Sequence, residues 1–375
     1  MSPPRLISSH KVASSRLVDS AFRLLLVSAL VLCGSHAASV ASPGRPRVVL
    51  ILVDGVRWDY LSESDLPGFG ELAKTGVKAE YVVPIMPANS YPNWYSIVTG
   101  LYGERHGFVQ NYMYDDQYDD FFMMAPHPNA SHPHWWNHAE PVWVTAEKNG
   151  LRTGMYWWDG CQLSLIVVSD HGMTDTRPEK FHLIDIEPHI DANDLHSMLD
   201  GGSFVMLRPY PDKIDKVYSK LKSLNIKGLN VFRKEELPDL YHLKETHLTQ
   251  PIVLTADPGY QIKKLQGTDK QVPQSNKIYN GNHGYDPMKL EDMRAIFLAT
   301  GPGLKQGFQN GPVRMVDHYN VICRQLGIKP LENSGSQDNV QGMFVGGASG
   351  SSTAVSLSLL VVPNILLAAR SYLYH

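Results

Sequence analysis

The sequence predicts an α/β domain built on a parallel core sheet, and three observations carry that prediction. Val48 to Val53 (VVLILV) and Leu165 to Val168 (within LSLIVVSDHGM) are unbroken apolar runs of strand length, as strands buried on both faces require. Each run stops abruptly, the first at Asp54 and Gly55, the second at Ser169, Asp170, His171 and Gly172. Apolar strand-like runs then alternate with helical patterns through the rest of the chain. Open α/β sheets bind ligands in the crevice beyond the carboxyl ends of their strands, so Asp54, Asp170 and His171 are candidate metal ligands. A carboxylate next to an imidazole at a strand end suits zinc.

The chain has 375 residues, 43% hydrophobic and 19% charged, enough for a large core. Both ends read as processing segments. Arg5, Lys11, Arg16 and Arg23 precede the apolar run Leu24 to Leu32, and small residues follow, so residues 1–41 are expected to be a secretory signal peptide. At the other end, small residues from Gly346 to Ser352 precede an apolar tail from Ala354 to Ala369. Residues 346–375 are therefore expected to be a glycolipid (GPI) anchor signal, placing domain 42–345 on the outer face of the plasma membrane. A transmembrane span is the alternative, but the tail is short and holds Pro363 and Asn364.

Without those ends the chain is more acidic than its overall net charge of −3, which excludes a broad basic face for nucleic acid. Cys33 falls in the signal, so Cys161 and Cys323 remain and no disulfide framework is expected. Asn129, with Ala130 and Ser131, forms a glycosylation sequon expected on a surface loop.

Taken in order, Asp65 reads as an N-cap, with Pro67 in the first turn of its helix and Gly76 at the stop. A second helix is expected from Ser90 to Thr99, ended by Gly100, with the Ser90 hydroxyl at the positive end of the helix dipole. His132 and His134 could form a metal pair, but flanking prolines and the sequon favour an exposed loop. Glu140 to Glu147 opens a helix, and Arg152 to Trp158 reads as a strand. Strands are expected at Ser203–Leu207, Pro251–Ala256 and Met293–Ala299, and helices at Pro211–Leu224 and Val316–Leu326. In the first of those helices Ile214, Val217, Leu221 and Leu224 share an apolar face. His283 lies in a loop rich in Gly and Asn.

Several of these stretches together resemble one family. LILVDGVRWDYL, NSYPNWYSIVTGLYGERHG, NYMYD, EPVWVTAE, VVSDHGM, NHGYD and DMRAIFLATGPGLK are similar to the ecto-nucleotide pyrophosphatase/phosphodiesterases of the alkaline-phosphatase superfamily. Within that family the Ser90–Tyr91 pair, Trp135–Trp136, Tyr156 to Cys161 and VDHYNVIC look most like the choline-specific glycerophosphodiester phosphodiesterases. The resemblance implies a three-layer α/β/α sandwich with a largely parallel sheet, and a two-zinc hydrolase. By motif, Asp54, Ser90, Asp170 and His171 match the ligands of one zinc, with Ser90 also the nucleophile. His283 matches a ligand of the other zinc, and Asn111 matches the residue that holds a phosphoryl oxygen. The implied substrate is a choline phosphodiester or lysophospholipid, with phosphocholine released through a phosphoryl-Ser90 intermediate. The alternatives are a nucleotide pyrophosphatase/phosphodiesterase and an inactive membrane-tethered binding protein.

One departure stands out. The family's second zinc is held mainly by an Asp and a His in a D-x-x-G-H-x-x-G-P segment, which this chain lacks. If the strands at Arg152–Trp158 and Leu163–Ser169 were parallel neighbours, their crossover would need roughly 10 to 12 residues, far more than Asp159 to Gln162 supply. A block is therefore expected to be missing between Gln162 and Leu163, at a cost in both activity and sheet stability.

Overall fold

The computed structural model describes residues 47–61, 66–154, 164–265 and 279–346. The expected signal peptide, Asp65, residues 155–158 of the expected strand, Cys161 and all but the first residue of the expected anchor segment lie outside the described residues. In chain order the elements are β1 (Val48–Leu52), α1 (Pro67–Thr75), β2 (Val77–Ala79), α2 (Ser90–Thr99), β3 (Met113–Asp115), β4 (Asp120–Phe122), α3 (Val142–Lys148) and β5 (Ser164–Val168). They continue with β6 (Leu195–Leu199), β7 (Phe204–Pro209), α4 (Ile214–Ser223), β8 (Leu229–Arg233), β9 (Ile252–Ala256), β10 (Phe297–Thr300), β11 (Phe308–Asn310) and α5 (His318–Leu326).

The central sheet runs β1-β5-β10-β2-β11. β1 and β5 are parallel, with Leu52 opposite Val168. Asp54 and Asp170 each follow that pair by the same distance along the chain, so the register delivers the two acids side by side at one sheet edge. Alternation along the strands covers both faces. Ile166, Val168, Phe297 and Ala299 pack in one apolar cluster with residues of α2 and α5. Val167 and Leu298 pack in another, with Phe69 and Leu72 of α1. The three-layer α/β arrangement expected from the sequence is therefore present.

The sheet is mixed rather than largely parallel, because β10 runs antiparallel to both β5 and β2. The apolar run at Met293–Ala299 also joins the central sheet later than expected, only at Phe297. Upstream of that point the carbonyls of Met293 and Arg294 accept from the amides of Gly172 and Trp58, so this part of the run closes the site loops instead of extending the ladder.

The expected strands at Ser203–Leu207 and Pro251–Ala256 do form, but in a second, wholly antiparallel sheet of order β8-β9-β7-β6. α4 packs on it through Val217 and Leu221. The expected parallel pairing of Arg152–Trp158 with Leu163–Ser169 is not formed among the described residues. Both flanks of β5 are taken, by β1 and β10, and Arg152–Gly154 are not in a strand. Among the described residues the sheet has edges at β1, which pairs with β5 alone, and at β11, which pairs with β2 alone. No helix of the described residues is long and apolar enough to cross a membrane.

Candidate active site

α2 begins at Ser90 and ends where Gly100 turns left-handed at φ 70°. Its free amides face the sheet edge, and this places the Ser90 hydroxyl at the positive end of the helix. Ser90 Oγ donates to Asp54 Oδ2 at 3.3 Å and lies 3.2 Å from His171 Nε2. His171 Nε2 is in turn 3.3 Å from Asp170 Oδ2. Asp54, Asp170 and His171 bring three donor atoms within 4.8 Å of one another.

The surroundings fix these groups in a metal-ready state. His171 Nδ1 lies 2.9 Å from the Gly172 carbonyl, which can only accept, so Nδ1 carries the proton and Nε2 presents its lone pair to the cluster. Asp170 Oδ1 accepts the backbone amide of Gly55, and Oδ2 accepts the Trp94 indole N–H at 2.7 Å. Gly172 is required by space: a Cβ there would lie 2.0 Å from the Asp292 carbonyl oxygen.

Electrostatics point the same way. Burial raises the Asp170 carboxyl against the amide bonds that lower it, and burial lowers His171. Asp54 is open to solvent at the rim, yet its carboxyl is pushed up to about 6, first by the surrounding protein and next by the Asp170 carboxylate. Two acids held close with an imidazole, and crowded out of their charged forms, are what a bound cation would reverse.

The second half of the site is thinner. His283 stacks on His171 with ring centroids 3.8 Å apart. Its Nδ1 donates to Asn89 Oδ1 at 2.9 Å and to the Ala88 carbonyl at 3.1 Å, leaving Nε2 as the free lone pair. Burial and the neighbouring His171 push it down to about 3, so it is neutral and able to ligate. Among the described residues, however, His283 belongs to no group of three metal-donor side chains. The residues present fit one metal and do not complete a second.

Asn111 is tied to the start of α2. Its Oδ1 accepts the Tyr91 amide at 3.0 Å, one residue beyond Ser90, so the side-chain amide is held beside the nucleophile candidate. Asn129 of the sequon is half-buried, and its amide donates to Asp120 Oδ1 and to the Phe121 carbonyl. A glycan there would consume one of those two hydrogens.

Three positioning residues were not identified from sequence. Trp94 lies one turn beyond Ser90 on the same face of α2, a spacing that could have flagged it. Asn89 donates to Gln110 Oε1, and Gln110 Nε2 donates to the Phe204 carbonyl, so a buried amide pair ties His283 and Asn111 to the second sheet. Gly284 allows this contact: it sits at φ 91°, and a Cβ would lie 2.5 Å from Asn89 Oδ1.

The sequence pattern of the type I phosphodiesterase / nucleotide pyrophosphatase family matches residues 48–165 and 161–286. The chain belongs to that family. By family it is a phosphoric diester hydrolase of a metal-dependent kind. Human ectonucleotide pyrophosphatase/phosphodiesterase family member 5 is 27% identical over 410 residues, covering 86% of this chain and 83% of its own. Mouse bis(5'-adenosyl)-triphosphatase enpp4 is 28% identical over 392 residues, covering 80% and 82%. The solved human family member 5 superposes with a TM-score of 0.70 at 26% identity, over 80% of this chain and 100% of that one. An inactive murine form of member 5, in complex with AMP, gives the same TM-score at 25% identity and the same coverage.

The family match is broken into two segments that meet at residues 161–165. An alignment over 410 residues is longer than the whole 375-residue chain, so it must pass over sequence that this chain lacks.

Proposed function

We propose that the site is that of a nucleotide pyrophosphatase/phosphodiesterase, working through Ser90 and cut back to one complete metal set. The observation that carries this is the Ser90 hydroxyl at a helix N-terminus, within 3.3 Å of both Asp54 and His171. Zinc held by Asp54, Asp170 and His171 would acidify the hydroxyl and offset charge on the phosphoryl oxygens. Ser90 Oγ then attacks phosphorus in line, the ester or pyrophosphate oxygen leaves, and Asn111 Nδ2 holds a non-bridging oxygen. The nucleotide reading rests on relatives: a bis(5'-adenosyl)-triphosphatase and a family member bound to AMP.

A choline phosphodiester is the second reading, supported by Ser90–Tyr91 where nucleotide-cleaving members usually carry Thr and Phe. The geometry weakens it. Tyr91, Tyr95 and Trp135 are buried, and Tyr91 packs against Trp94, Phe108 and Phe122 instead of presenting an open face to a quaternary ammonium. The reading as an ectoenzyme, with a signal at 1–41, a glycan on Asn129 and a lipid anchor from 346–375, rests on sequence pattern alone. The test is a side-by-side assay with the nitrophenyl esters of thymidine 5'-monophosphate and of phosphocholine. Faster release from the nucleotide ester is expected, and release from the choline ester alone would reverse the assignment.

A further inference from the structure

The loop set aside above as merely exposed holds a second constellation. His132 and His134 lie in consecutive 3-10 turns, Pro128–Ser131 with its C-cap at His132 and Pro133–Trp136. Both turn toward the start of β4, where Asp120 Oδ2 is 2.6 Å from His132 Nδ1 and 3.5 Å from His134 Nε2. His134 Nε2 is buried and makes no hydrogen bond. The three donor atoms lie within 4.8 Å of one another. We propose that Asp120, His132 and His134 form a separate binding site for a zinc-class divalent cation, distinct from the Ser90 centre.

Two imidazoles and one carboxylate are a borderline donor set that suits zinc, with water as the fourth ligand. Donors around a tetrahedral zinc are roughly 3.3 Å apart, so the pairs seen here need only a small adjustment. The carboxylate is already oriented from behind, since Asn129 Nδ2 donates to Asp120 Oδ1 at 3.1 Å. Tyr118 stacks on the His134 ring at 4.2 Å and limits its rotation. An exposed Asp–His ion pair is the simpler alternative, but it accounts for His132 alone and leaves the buried His134 Nε2 facing Asp120 Oδ2 at 3.5 Å without a hydrogen bond.

The ion would staple the β3–β4 hairpin to the loop that backs α2. Trp136 in that loop packs on Phe108 at 4.8 Å and on Tyr95 at 5.6 Å, and Tyr95 Oη donates to the Trp136 carbonyl. Fixing this loop therefore fixes the helix that carries Ser90. With no disulfide among the described residues, a metal clip is the available cross-link.

The test uses the full chain with the catalytic set disabled by Asp54→Asn and His171→Ala. Cobalt(II) titration should still produce the visible bands of a tetrahedral ion, saturating at one equivalent. Adding His132→Gln and His134→Gln should abolish them. Unchanged bands in the fourfold variant, or no saturable uptake in the parent, overturn the proposal. A second measurement needs no change at the site: zinc should protect His132 and His134 of the unmutated chain from diethyl pyrocarbonate, as read by peptide mass spectrometry. Equal modification with and without zinc would count against the site as strongly.

Discussion

The two halves of the candidate active site are built to different standards. Asp170 and His171 are fully buried and receive bonds from Gly55, Trp94 and their own backbone, while Asp54 closes the set from the neighbouring parallel strand. His283 is equally well oriented by Asn89 and Ala88, yet no carboxylate or further histidine of the described residues completes a group with it. The difference lies in where each half draws its ligands. The first is made by the β1–β5 register, which local sequence secures. The second would need further donors beside His283, and the described residues do not supply them. A well-held ligand is therefore no proof of a working site.

The largest expected effect tests this contrast directly. Inserting a segment with the D-x-x-G-H-x-x-G-P pattern between Gln162 and Leu163, the one the family resemblance implies, should raise phosphodiester hydrolysis well above that of the chain as it stands, because His283 would gain companion ligands. Steady-state assays of the two proteins decide it. Equal rates would show that the one complete metal set suffices. Next comes Ser90→Ala in the restored chain, expected to cost roughly a millionfold in turnover, the scale seen when a nucleophile is removed. Retention of more than a small fraction of the rate would take the nucleophile role from Ser90. Trp94→Phe should be milder, since it removes only the indole donor to Asp170 Oδ2. Zinc affinity, measured by competition with a chelating dye, should fall by about 10- to 100-fold with the fold unchanged. No change would mean that the bond to Trp94 is incidental.

How much of this was legible in the sequence can be judged residue by residue. Asp54, Ser90, Asp170, His171 and the span of α2 were readable because apolar strand runs, a proline in a first turn and a stopping glycine are local signals. The antiparallel entry of β10 was not, because the apolar run at Met293–Ala299 reads the same in either direction. Nor was the second sheet, since partner choice between strands distant in sequence is settled by packing. The approach of Asp120 to His132 and His134 was equally hidden, because a hairpin in front of the loop supplies the carboxylate. The prolines that suggested an exposed loop do form turns there, and those turns bring the two rings to one point.

The smallest effect concerns buried histidines away from the catalytic edge, and it separates ligand chemistry from plain burial. His106 is pushed down to about 3 and His318 to about 4, in both cases chiefly by burial. His106 Nε2 lies 3.0 Å from Ser96 Oγ, and its Nδ1 accepts the Phe108 amide, so a proton added at Nδ1 would displace a backbone bond. His318 Nδ1 donates to the Met315 carbonyl, while Nε2 is buried without a hydrogen-bond partner and would become an unpaired cation, with the nearby Asp317 offering only partial relief. Both folded values lie below the usual 6.5, so the folded state refuses protons that the unfolded chain accepts. Stability is thus fully present above 6.5 and is lost as pH falls toward the folded values. At pH 5 each group should cost about 2 kcal/mol relative to pH 7, set by protonation of the unfolded imidazole. Urea unfolding of the restored chain should show its midpoint falling between those two pH values. His106→Gln should flatten part of that fall while leaving zinc content untouched, because this histidine answers to burial and not to metal. A pH dependence unaltered by the substitution would assign the acid sensitivity to His318 and the catalytic histidines instead, whose folded values are likewise lowered.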